Sequence, residues 1–468
     1  MKFTGDRYPG FALRASAVLL LAAFVPLSLC YSQNLSVKFE KFTLPNGLTV
    51  IMHEDHSVPI VSVNVWYHVG SCREKPGRTG FAHLFEHIMF EGSQNVPPGE
   101  FDKWLEAAGG DNNGSTTTDR TNYWENVPSN ALELCLFLES DRMGFLLPTM
   151  SEARVNQQRD VVKNEKRQSF DNQLYGQAEI IIPENLFPPD HPYHWNTIGS
   201  MEDLTAATHD DVADFFKKYY VPSNASLAIA GDIDPVKTKE MVTRWFSDVP
   251  AQNPVMPLGQ PPVYMTAQKR LVNEDNVELP RLYLAWATPA EFAPGDAELD
   301  VLSNVLAGGK NSRLYKRLVY DMQIAQDVEA FEQSGGLASQ FYVIATARPG
   351  HTLTELESVI WEEINKVKAD GPTKREVDRA VNGFESGFLD RLEAIGGFGG
   401  KADQLNQYYT LTGSPDFFNQ DLARYKSLAP DGVQSICQKY LREDGCVILS
   451  VVPKGKTDLA AQSKKEGK

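Results

Sequence analysis

The sequence predicts an α+β protein made of two homologous domains, each a mostly antiparallel sheet packed with helices. Three observations predict it. Val61, Val63, Val65, Tyr67 and Val69 alternate with Ser62, Asn64, Trp66 and His68, the two-residue period of a strand. Prolines 250, 254, 257, 261 and 262 interrupt the periodic segments once, near the middle of the 468-residue chain. Beyond them the order of strand, helix and closing strand recurs, as expected of an internal repeat.

The N-terminus comes first. Lys2, Arg7 and Arg14 precede an apolar run at 15–29, too short for a comfortable membrane span. Ser28 and Cys30 are small residues at a cleavage point, so residues 1–32 read as a signal peptide for export. Acylation of Cys30 is disfavoured by the bulk of Leu29, and an uncleaved membrane anchor is the other alternative.

Residues 33–250 read as the first domain. After the strand at 61–69 comes a helix carrying His83, Glu86 and His87. Phe101, Trp104, Leu105 and Ala108 mark an amphipathic helix that Gly109 and Gly110 stop. A third helix is expected at 129–144 with Ser129 as its N-cap. Residues 151–169 read as a long polar helix with Val155, Val161 and Val162 as its apolar contacts. A strand near 227–230 closes the unit.

Residues 251–265 are the expected linker, and 266–453 the second domain. Its strand at 282–286 precedes a helix near 297–306, and its closing strand at 446–451 follows Lys439-Tyr440-Leu441, as Lys218-Tyr219-Tyr220 precedes the closing strand of the first. Aligning Gly92 with Gly308 sets Leu299, Leu302 and Ser303 against His83, Glu86 and His87, so the second domain should be catalytically silent. Residues 454–468 are polar and read as a disordered tail.

Bulk properties narrow the function. The chain is 42% hydrophobic and 23% charged, which places it among ordinary globular proteins. Its formal net charge of -16 argues against nucleic acid and suits either basic peptides or plain solubility. The five cysteines include no C-x-x-C pair, so neither a cysteine zinc site nor a thioredoxin-like motif is expected.

The chemistry lies in His83-Leu84-Phe85-Glu86-His87, the order H-x-x-E-H. On a helix, residues four apart share one face, so both imidazoles can bind one metal ion and Glu86 stands beside it. A hydrogen-bonded core histidine would explain one of them, but two with an intervening glutamate would each need a separate buried partner. Zinc also needs a third protein ligand and an open fourth position, which a carboxylate on a neighbouring helix could complete.

Together with Gly77-Arg78-Thr79-Gly80-Phe81-Ala82 before the motif, these residues carry a resemblance to the pitrilysin/insulinase family of zinc metallopeptidases, the inverzincins. Further matches are 119–123, 141–143, 161–165, His191-Pro192-Tyr193 and Gly231-Asp232. The chain looks like the short, two-domain bacterial branch related to mitochondrial processing peptidase, which implies two α/β sandwich domains forming half of a clamshell.

The resemblance implies Glu165 as the third zinc ligand. It departs at Gln158, where many relatives carry a second glutamate. It implies substrate binding by strand addition along Asn113, Gly114, Ser115, Thr116 and Thr117, with Asn113 contacting the substrate backbone. It assigns no zinc role to His191 and His194, which could otherwise be read as a second metal pair. Active relatives often place an arginine and a tyrosine seven residues apart in the second half; here Val319 and Gln326 stand at those positions.

The function expected is a zinc-dependent endopeptidase, with one Zn2+ per chain held by His83, His87 and Glu165 and with Glu86 as general base, cleaving peptides or unfolded protein segments. The expected partner is a homologous non-zinc subunit bearing the arginine–tyrosine pair, with a homodimer as the other arrangement. The expected location is periplasmic, either released or attached through the N-terminus. The alternative is a non-catalytic scaffold or assembly subunit that kept the fold.

Overall fold

The computed structural model describes residues 35–259, 263 and 265–462. The expected signal peptide at 1–32 lies outside these residues. Among the described residues, no helix is long and apolar enough to cross a membrane.

The first sheet contains β1 (Glu40–Thr43), β2 (Thr49–Glu54), β3 (Ile60–Tyr67), β4 (Asp111–Thr116), β5 (Thr121–Pro128) and β6 (Ala225–Gly231) in the order β1-β2-β6-β3-β5-β4. The second contains β7 (Lys269–Asp275), β8 (Arg281–Thr288), β9 (Ala325–Gln333), β10 (Ser339–Ala347) and β11 (Val447–Pro453) in the order β7-β11-β8-β10-β9. With β1 set aside, the two orders match strand for strand. Each has one parallel pair, β2–β6 and β7–β11, and is otherwise antiparallel.

The pleat explains how β3 works. Val61, Val63, Val65 and Tyr67 enter the first core, while Ser62, Asn64 and Trp66 lie on the opposite face. That polar face is buried as well. The helix Lys401–Thr412, from the second half, crosses it and meets its polar groups: the amide of Asn406 donates to Asn64 O at 2.9 Å, and Thr410 Oγ1 lies 3.2 Å from His68 Nε2.

The helix Phe81–Ile88 starts at Gly80, whose φ of 87° is left-handed and whose missing side chain leaves room for Ile198 O. Phe81, Leu84, Phe85 and Ile88 face the core, where Phe85 stacks on Phe215 and Phe216. This packing turns His83, Glu86 and His87 away from the core.

Three local expectations are corrected. Ser129 is not an N-cap: a 3-10 turn at Ser129–Ala131 precedes the helix Leu132–Phe145, and Ser129 Oγ donates to Asp232 instead. In the helix Glu152–Lys166, Ser151 is the cap, and Val155 and Val162 are buried seven residues apart, whereas Val161 is 42% exposed on another side. The expected disordered tail is ordered through Gln462: a turn at Thr457–Leu459 leads to buried Ala460, and Ala461 N donates to Ser450 Oγ. Residues 463–468 lie outside the described residues. Residues 251–259 form neither helix nor strand. Cys72, Cys135, Cys437 and Cys446 are all free and buried.

Candidate metal centre

The helix Glu152–Lys166 packs beside Phe81–Ile88 and brings Glu165 to the two histidines. His83 Nε2 and His87 Nε2 are 3.4 Å apart, and Glu165 Oε2 lies 3.6 Å from the first and 3.3 Å from the second. Among the described residues, these three form the one group of His, Cys, Asp or Glu side chains able to hold a metal ion. The donor set fits zinc, since bonds of roughly 2.0–2.1 Å in tetrahedral geometry hold neighbouring donors ~3.3 Å apart. Burial lowers the pKa of His83 to about 4, which keeps the ring neutral as a ligand must be. The hydrogen bond with His87 holds the Glu165 carboxyl below its ordinary range.

Glu86 shares the helix but is held differently. Thr116 Oγ1 donates to its Oε2 at 2.5 Å, and burial raises its pKa above the usual carboxylate range despite that bond. A carboxylate with raised basicity beside a metal centre can accept a proton from water. Glu74 also contributes. Its two oxygens accept Gly80 N at 3.0 Å and Ala82 N at 2.8 Å, so it satisfies free amides at the start of the motif helix.

Thr116 belongs to β4, the open edge of the first sheet. Thr117 N donates to Arg120 O at 2.8 Å, so antiparallel alternation turns the backbone groups of Gly114 and Thr116 outward. Gly114 N is held by Asn113 Oδ1 at 2.8 Å, and Ser115 Oγ donates to Asn122 Oδ1 at 2.7 Å. Asn113, Gly114 and Ser115 therefore lie on the edge that leads to Glu86. Sequence reasoning placed Thr116 on the edge strand but did not link it to Glu86, and it missed Glu74, because nothing local pairs either with the motif. The 119–123 match lay next to the strand but carried no assigned role.

The other candidates lie elsewhere. His191 Nδ1 accepts Tyr193 N and His194 Nδ1 lies 2.9 Å from Phe187 O, so backbone groups occupy both rings. Gln158 is buried and its amide donates to Glu91. Val319 packs against the second core, and Gln326 is exposed on β9. Nearby Arg317 is engaged by Glu362 and Glu363, while Tyr320 is 73% exposed.

Residues 49–185 match the family described as Insulinase (Peptidase family M16), and residues 206–384 match the one described as Peptidase M16 inactive domain. The chain is 30% identical to a protein named zinc protease PqqE from Helicobacter pylori, over 88% of this chain and 92% of that protein. It is 24% identical to a probable mitochondrial-processing peptidase subunit beta from Arabidopsis thaliana, over 88% of this chain and 78% of that protein. The crystal structure of a protease from Helicobacter pylori superposes with a TM-score of 0.80 at 27% identity, over 89% of this chain and 99% of that one.

Proposed function

Because the chain belongs to the insulinase (M16) family of peptidases, we propose that it is a zinc-dependent endopeptidase acting on peptides or unfolded protein segments. The observation that carries the reading is the convergence of His83 Nε2, His87 Nε2 and Glu165 Oε2 beside Glu86. Zinc held by those three residues would supply Lewis-acid activation of a water molecule and of the scissile carbonyl. Glu86 takes the proton from that water and returns it to the leaving amine. Thr116 fixes one oxygen of Glu86, which leaves the other to handle the proton. The outward backbone of Gly114 and Thr116 pairs with substrate as an added strand, and Asn113 releases Gly114 N for it.

Two further parts of the proposal concern assembly and location. With Val319 and Gln326 where an arginine–tyrosine pair is expected, and Arg317 neutralised by Glu362 and Glu363, the catalytic chamber is completed by a homologous non-zinc subunit. The charged, then apolar, N-terminus directs export to the periplasm.

Glu86→Gln tests the chemistry. It should retain zinc at the wild-type stoichiometry while kcat falls by about 10²–10⁴-fold. Bound zinc with no peptidase activity in any pairing would instead indicate a scaffold subunit. Full activity of the purified chain as a homodimer would overturn the heterodimer.

A further inference from the structure

The Asp403 carboxylate lies at the contact between the crossing helix Lys401–Thr412 and the polar face of the first sheet. Its Oδ1 accepts from Trp66 Nε1 at 2.8 Å, Asn122 Nδ2 at 3.0 Å and Asn64 Nδ2 at 3.3 Å, and its Oδ2 accepts from Gly399 N at 2.8 Å. The group is buried, and its hydrogen-bond partners are all neutral. A buried carboxylate so arranged carries a desolvation cost that a well-packed apolar side chain would avoid, so stability alone is a poor account of it.

Its partners lead to the edge strand by two routes. The Asn122 side chain donates to Asp403 and accepts from Ser115 Oγ. Trp66 donates to Asp403, and the Arg120 guanidinium stacks over Trp66, 5.2 Å from its ring centre. Arg120 Nη1 in turn donates to Ser115 O at 2.8 Å and to Ser115 Oγ at 2.5 Å. Ser115 is thus held at its carbonyl and its hydroxyl, one residue before the Thr116 that bonds Glu86. The carboxylates whose field reaches Arg120 are Asp403, Glu86 and Asp119.

We infer that Asp403, a residue of the second half, is a positioning residue that fixes the β4 edge through Asn122, Trp66 and Arg120 so that it receives the substrate strand. The inference rests on the peptidase reading for its kinetic consequence only. The second half then acts in substrate docking without touching the metal ligands, and the network spans the two halves of the chain.

The test uses the full chain with any partner that activity requires, and reads amide hydrogen exchange in 111–117 beside kcat and KM for an extended peptide. Asp403→Ala should speed exchange in that segment and raise KM about tenfold with kcat within about twofold. Asp403→Asn keeps one acceptor oxygen and should fall between wild type and alanine, and it serves if the alanine variant does not fold. Thr410→Val alters the same helix against the same sheet but leaves Ser115 untouched, so it should lower stability without either effect. Unchanged exchange in 111–117 for the folded Asp403 variants, or an equal rise in KM for Thr410→Val, would overturn the inference. A wild-type protein that neither binds nor cleaves peptide would refute the peptidase reading, and the exchange comparison would still decide the role of Asp403.

Discussion

Glu165 unites the two helices of the proposed metal centre, and its removal isolates the consequence. Glu165→Ala leaves His83 and His87 as a two-donor site, so zinc affinity, measured by competition with a chelator, should fall by more than about tenfold, the scale of even an outer-shell change. Far-ultraviolet circular dichroism should be unchanged, because the carboxylate is partly exposed and caps nothing. These residues differ in how far the sequence exposes them. His83, Glu86 and His87 are legible by spacing alone, since one helical turn sets their shared face. Glu165 lies on another helix, and only the family resemblance pointed to it. The roles of Glu74, Thr116 and Asp403 were not legible, because tertiary folding alone brings each to its partner.

At the scale of elements, the motif helix is short and depends on its apolar face. Phe85 is fully buried between Phe215, Phe216 and Tyr220. Phe85→Ala should lower stability by about 3–5 kcal/mol in urea denaturation, and reduce bound zinc as the helix loosens. The strands β3, β6, β8 and β11 were readable because β-branched and apolar residues mark them. The edge strands were harder. β4 reads Asp-Asn-Asn-Gly-Ser-Thr, with no apolar residue, because one side of it pairs with no strand among the described residues. The crossing helix Lys401–Thr412 is hard to read from sequence for a related reason: its buried face carries Asp403, Gln404 and Asn406 where an apolar stripe would be expected.

At the scale of the whole molecule, charge as well as packing joins the two halves. Lys401 Nζ lies 2.6 Å from Asp55 Oδ2, and this hydrogen bond holds the Asp55 carboxyl well below its ordinary value of 3.8. A depressed folded-state value means that the contribution is present above that ordinary value and is lost as pH falls below it. Both groups are partly solvated, so the contribution is modest, about 1 kcal/mol. Lys401→Met should therefore lower the urea midpoint at pH 6 and leave it little changed under strongly acidic conditions. The covered polar face of the first sheet has a consequence for engineering. Sequence invites a cut at the proline-rich segment, yet a fragment ending there would bare Asn64, Trp66 and Asn122 together, along with the underside of β3. The halves look like exchangeable cassettes on paper but interlock like a mortise and tenon. A chimera that swaps the second half should yield soluble protein only when the incoming half brings a helix that covers this face.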